Sequence, residues 1–199
     1  MDSSGAGIEI EIKLRFASLE EGLSRLAMLP AGLEDVRRLE RNEVFDDQAG
    51  TLAGEGRLLR LRVAGERASL TFKERVPSDL RAKVRAEWQT MVESPEAARA
   101  ILLKLGLRVV YRYEKYRSYY GWEDPVTGGN LSISLDETPI GVFVELEGPK
   151  ASIDRAARAM GLSDDSYLVE DYRSLHEAWR AGRPDAGRDM VFAPREGEP

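Results

Sequence analysis

Residues 8–16 read Ile8-Glu9-Ile10-Glu11-Ile12-Lys13-Leu14-Arg15-Phe16, nine positions in which apolar and charged side chains alternate without a break. A period of two belongs to a strand with two unlike faces, so Glu9, Glu11, Lys13 and Arg15 share one face and the isoleucines occupy the other. Next-but-one residues on a strand stand roughly 7 Å apart, which lets the two carboxylates converge on one hard cation while Lys13 meets an anion beside it. The simpler alternative is a half-buried antiparallel strand whose charges lie in water.

Working outward, seven more segments have strand character, at about 40–46, 57–64, 67–75, 82–92, 108–120, 130–136 and 141–148. Ala64-Gly65-Glu66 reads as a tight hairpin turn and the stretch from Asp124 to Asn130 as a longer one, so the connections are predicted to meander antiparallel. Helices are predicted from Ser18 to about Leu29, from Ser94-Pro95 to near Gly106, over about 150–160, and over about 167–181. The domain is read as residues 1–182, with 183–199, rich in Pro, Gly and charge, as a flexible tail.

The other strands repeat the two-faced pattern. Arg60 and Arg62 share a face, as do Thr71 and Lys73; Lys83, Arg85 and Glu87; Lys115 and Arg117; and Glu145 and Glu147. The opposite faces carry Leu59, Leu61 and Val63; Leu70 and Phe72; Val84, Ala86 and Trp88; and Val144 and Leu146, which are expected to pack beneath helices. A sandwich would bury the apolar faces centrally and leave the charges in water, whereas an inverted barrel would turn the charges into a tunnel. Same-sign neighbours such as Glu9 with Glu11, or Arg60 with Arg62, repel unless a counter-ion lies between them. A tunnel would meet that need with polyphosphate for the bases and a divalent metal for the acids.

Composition removes several chemistries. The 199 residues contain no cysteine and one histidine, His176, so thiolate nucleophiles, disulfides and histidine-rich metal sites are excluded and any metal must be held by oxygen. The formal net charge of −6 argues against a nucleic-acid partner. No run approaches the roughly 18 apolar residues of a membrane span, and the first residues lack the features of a secretory signal, so a cytoplasmic protein without a membrane partner is expected. His176 is read as a helix-packing or surface residue, the tyrosines at 111, 113, 116, 119 and 120 as structural strand residues, and Asp46-Asp47 as a strand end.

At this point the chain resembles the CYTH domain proteins, the triphosphate tunnel metalloenzymes. The likeness rests on Glu9-Ile-Glu11-Ile-Lys13, which matches the family's Glu-x-Glu-x-Lys signature. It continues in order through Arg41 to Asp47, Leu59-Arg-Leu-Arg62, Thr71-Phe-Lys73, Arg85-Ala-Glu87, Lys115-Tyr-Arg117, Leu135-Asp136 and Glu145-Leu-Glu147, over about residues 8 to 180.

The resemblance implies an α+β fold, an eight-stranded antiparallel barrel with a charged interior and helices outside. It implies Glu9, Glu11, Asp136, Glu145 and Glu147 as ligands for Mg²⁺ or Mn²⁺. It implies Lys13, Arg60, Arg62, Lys73, Arg85, Lys115 and Arg117 as phosphate-binding residues, with Lys73 and Glu87 in the catalytic role. The implied activity is hydrolysis of a small-molecule triphosphate, inorganic tripolyphosphate first, by a monomer or homodimer. The alternatives are a class IV adenylate cyclase and a non-catalytic polyphosphate or nucleotide sensor. Two positions depart from the family pattern: Val44 stands where some members have a tyrosine that pairs with the Thr-x-Lys lysine, and Gln89 stands where a second glutamate is common.

Overall fold

The computed structural model describes residues 7–193. Eight strands, β1 (Gly7–Phe16), β2 (Gly32–Asp46), β3 (Arg57–Ala64), β4 (Arg67–Arg75), β5 (Lys83–Met91), β6 (Arg108–Glu123), β7 (Asn130–Thr138) and β8 (Gly141–Glu147), close into one barrel in the order β1-β5-β4-β3-β2-β6-β7-β8. Every neighbouring pair is antiparallel. Closure leaves no edge strand, and it makes β1 the seam, paired with β5 at Glu9↔Arg85 and with β8 at Lys13↔Glu145.

The inverted arrangement is the one observed. Ile12, Leu14, Ile133, Leu135, Val144 and Leu146 point outward and pack beneath α1 (Leu19–Leu26) and α4 (Lys150–Ala159), where Leu26, Ile153, Ala156 and Met160 complete a buried cluster. Leu61 and Phe45 are covered by Leu102 of α3 (Pro95–Lys104). Trp88 differs from the expectation: it stays 41% exposed, with its ring 6.0 Å from Phe72. The helix starts follow their caps. Ser18 and Ser94 accept from the backbone N–H three residues on, and Asp171 does so for α5 (Tyr172–Arg180).

β2 begins at Gly32 rather than near residue 40. Register shifts between Leu33 and Asp35, and between Asp35 and Arg38, break its period of two. β6 likewise runs on to Glu123. A short helix, α2 (Thr51–Gly54), follows β2 because buried Asp46 accepts from the N–H groups of Leu52 at 2.9 Å and Ala53 at 3.0 Å. The strand-ending reading of Asp46-Asp47 thus takes the form of a helix cap.

Aromatic rings line one end of the barrel. Tyr111, Tyr113 and Phe143 point inward there and meet Tyr172 of α5. His176 is buried behind them, 3.2 Å from the Tyr111 hydroxyl, in a packing role. Two irregular segments complete the wall where strands end: Leu168 pairs with Lys13 of β1, and Met190 pairs with β6 beside Tyr113. Met190, within the stretch read as a tail, is buried, while residues 194–199 of that stretch lie outside the described residues. Among the described residues no helix is long and apolar enough to cross a membrane.

Candidate active site

The inward faces enclose a cavity of about 970 Å³. Its charges are segregated. Glu9, Glu11, Glu87, Glu145 and Glu147 come from the contiguous strands β8, β1 and β5, whereas Arg60, Arg62, Lys115 and Arg117 come from β3 and β6, with Lys73 on β4 between them. Lys13 and Arg85 line it as well, so all twelve distinct phosphate, catalytic and metal candidates other than Asp136 face the cavity.

Asp136 is the exception. It is fully buried behind the wall, where it accepts from Lys115 Nζ at 3.0 Å, Arg117 Nε at 2.5 Å and the Tyr172 hydroxyl at 2.5 Å. Arg117 also pairs with Glu145, which lies 3.3 Å from Lys13 Nζ. Lys13 in turn pairs with Glu11, and Lys73 lies 2.6 Å from Glu9 and 3.1 Å from Glu87. Lys13 on β1 and Lys73 on β4 therefore pair with carboxylates of the acidic wall. Accordingly, among the described residues no three acidic or histidine side chains gather into a cation-sized cluster.

The acidic wall nevertheless carries more negative charge than its lysines cancel. Burial raises Glu9 to about 7 against the pull of Lys73, and the neighbouring Glu11 carboxylate pushes it further. Burial and Glu145 would raise Glu11 too, but Lys13 and Lys83 hold it below the ordinary range, so Glu9 is the member of the pair that keeps the proton. Glu147 is also raised, by burial and by the carboxylates of Glu11, Glu87 and Glu145, despite Lys73. Carboxylates that repel one another and offer only oxygen suit a hard divalent cation, and Glu9, Glu11 and Glu147 would draw together to hold one.

The basic wall is held open by neutral and acidic partners. Arg60 donates to the Tyr113 hydroxyl at 3.2 Å and to Thr71 at 3.3 Å; Arg62 donates to Asn42 at 3.1 Å and to Tyr119 at 3.2 Å. Glu40 is buried beside Arg62 at 3.3 Å and accepts from Tyr119 at 2.9 Å. Burial disfavours its charge, yet Arg62, Lys115 and Arg117 hold Glu40 down to about 2. Sequence reasoning gave no site role to Glu40 or Asn42 and read Tyr113 and Tyr119 as structural strand residues. A signal for the tyrosines was present, since 113 and 119 share strand parity with Lys115 and Arg117.

The two departures from the family pattern are both on the cavity wall. Val44 brings no hydroxyl to Lys73, whose partners are instead the two glutamates. Gln89 accepts from the Thr71 hydroxyl at 3.0 Å through its amide oxygen. Near them, Arg62, Gln89, Arg117 and Tyr119 are shared with a second opening of about 300 Å³ at the other end of the barrel.

Comparison with known proteins agrees with this arrangement. The CYTH domain matches residues 7–166. A Methanocaldococcus jannaschii protein named as a candidate adenylate cyclase is 24% identical over 180 residues, covering 84% of this chain and 98% of its own. The solved structure of the PH1012 protein of Pyrococcus horikoshii shares the fold with a TM-score of 0.65 at 23% identity, over 82% of this chain and 96% of that one. So does a candidate adenylyl cyclase from Hippeastrum, described as having a dominant triphosphatase activity, with a TM-score of 0.59 at 21% identity over 87% and 96% of the two chains.

Proposed function

Because the chain belongs to the CYTH domain family, the triphosphate tunnel enzymes, we propose that it hydrolyses the terminal phosphoanhydride of a triphosphate with a divalent cation. Inorganic tripolyphosphate is the proposed substrate and Mg²⁺ or Mn²⁺ the proposed cation. The observation that carries this reading is the pair of opposed walls, acidic on β8-β1-β5 and basic on β3 and β6, facing one cavity.

In this reading Arg60, Arg62, Lys115 and Arg117 take phosphate oxygens, the arginines through paired N–H donors that match them. Lys73 lies between the walls, 2.6 Å from Glu9, placed to stabilise charge that grows on the transferred phosphoryl group. Glu87, 3.1 Å from Lys73, is positioned to orient the attacking water and accept its proton. Glu9, Glu11 and Glu147 hold the cation, which supplies charge neutralisation and acidifies nearby water. Asp136 and Glu145, engaged by Arg117, position the basic wall. The triphosphatase described for the Hippeastrum relative supports hydrolysis.

A second reading, conversion of ATP to cyclic AMP, is favoured by the opening of about 300 Å³ that joins the tunnel through Arg62, Arg117 and Tyr119 and has room for part of a nucleoside. The name of the Methanocaldococcus relative points the same way. The deciding experiment measures phosphate release from tripolyphosphate, ATP and thiamine triphosphate with Mg²⁺, Mn²⁺ or chelator, and identifies the products. Metal-dependent orthophosphate from tripolyphosphate, lost in Glu9→Gln/Glu11→Gln, is the expected result. Cyclic AMP with pyrophosphate would replace it with the cyclase, and ligand-induced stabilisation without turnover would leave a binding module.

A further inference from the structure

Four lysines line the tunnel, and three are neutralised in place: Lys13 by Glu11 and Glu145, Lys73 by Glu9 and Glu87, and Lys115 by Asp136. The fourth, Lys83 on β5, has no ion pair or hydrogen bond to its ammonium among the described residues. Its cross-strand neighbour is Glu11, but that carboxylate is taken by Lys13. Strand parity puts Arg85 on the same inward face, and Arg85 reaches no closer than 3.9 Å to Asp171, the cap of α5.

An ammonium in this position is costly. Lys83 faces the cavity beside Glu11 and Arg85, and among the described residues no carboxylate closes on it as an ion pair. Lysine stems readily carry their charge out to water, so a lysine kept inward without a counter-ion is explained by an anion that arrives later. We infer that Lys83, with Arg85 beside it, binds a phosphoryl group of the substrate at the end of the tunnel next to the start of α5. The inference rests on the reading of the cavity as a triphosphate site, and it adds a contact that the matched motifs do not contain.

The test separates a binding role from a structural one, because the two predict opposite changes in the ligand-free protein. Lys83→Met keeps the stem and removes the charge; it should melt above wild type without ligand, as does a protein relieved of a poorly solvated functional group. With Mg²⁺ it should show a KM for tripolyphosphate raised roughly tenfold or more, as loss of a charge-assisted contact implies, and a smaller thermal shift on adding tripolyphosphate. Lys83→Arg should return the KM towards wild type. A Lys83→Met protein that melts below wild type, or that takes tripolyphosphate as wild type does, overturns the inference and leaves the triphosphate reading standing. If wild type itself neither binds nor hydrolyses tripolyphosphate, the triphosphate reading falls and Lys83 falls with it.

Discussion

Asp136→Asn distinguishes a ligand from a positioning residue. Asp136 is fully buried and receives three donors, from Lys115, Arg117 and Tyr172. Removing one partner of a buried ion pair costs about 3–5 kcal/mol. Here the lower end applies, because Lys115 and Arg117 keep Glu40 at 3.8 Å and Glu145 as further counter-ions. The asparagine oxygen still accepts one hydrogen bond, but its amide group then faces donors with nothing to receive it. A loss of about 3 kcal/mol follows, and at 2–4 °C per kcal/mol for a domain of this size it lowers Tm by about 6–12 °C. Urea unfolding followed by far-UV circular dichroism, with thermal melts in parallel, measures both quantities without metal or substrate. A variant within about 1 kcal/mol of wild type, inactive yet rescued by excess Mn²⁺, would refute the positioning role and return Asp136 to the metal ligands.

Glu147→Gln should behave in the opposite way: its carboxylate is already disfavoured by burial and by three acidic neighbours, so Tm should hold or rise. Mn²⁺ affinity measured in the presence of tripolyphosphate should fall about tenfold or more, and an unchanged affinity removes Glu147 from the cation site. His176 has its pKa depressed by burial, so the unfolded chain binds the proton more readily. Its contribution to stability is complete above the ordinary value of 6.5 and is lost as pH falls below it. Glu9, raised to about 7, acts with the opposite sign in the same range, so the comparison is wild type against His176→Gln; a wild-type melt that loses no more than the variant between pH 7 and 5 would show that His176 is not buried neutral. Gly148→Ala should cost more than about 2 kcal/mol in urea unfolding. Its φ is +147°, and a Cβ would stand 2.6 Å from the Asn130 carbonyl oxygen, so a wild-type midpoint would mean that this corner relaxes freely.

The barrel was legible where the chain alternates and illegible where it does not. β1, β3, β4 and β8 announce themselves because apolar residues alternate with polar or charged ones, without a break in β1 and over shorter runs such as Leu59-Arg60-Leu61-Arg62 and Val144-Glu145-Leu146-Glu147, as suits a two-faced strand. The first half of β2, Gly-Leu-Glu-Asp-Val-Arg-Arg-Leu, hides its strand character because the bulges insert residues that belong to neither face. α2 is a single turn held by two aspartates, Asp46 and Asp47, too short to carry a period. At the site, parity alone could place Glu9, Glu11, Arg60 and Arg62 in a common interior. Whether Asp136 meets the cavity or the backs of Lys115 and Arg117 depends on how β6 and β7 align, at Arg117↔Asp136, and that register is a property of the closed barrel.

The same register gives the two sets of carboxylates different work. Asp136 and Glu40 sit beside Lys115, Arg117 and Arg62, on the basic side, where they hold cations in fixed positions. Glu9 and Glu11 sit on the other side and form their ion pairs with the flexible stems of Lys73 and Lys13. An ammonium on a four-carbon stem can leave a carboxylate for a phosphate oxygen, whereas a guanidinium locked to a buried aspartate cannot move far. In the proposed function, Glu9 and Glu11 would release Lys73 and Lys13 on holding a cation and those lysines would turn to the triphosphate, so each ligand would improve the site for the other. Linkage makes that coupling reciprocal: the cation binds more tightly once the phosphate chain is present, by the same factor that it strengthens phosphate binding. The barrel thus separates the charges that must stay from the charges that must exchange, and it does so by placing them on different strands.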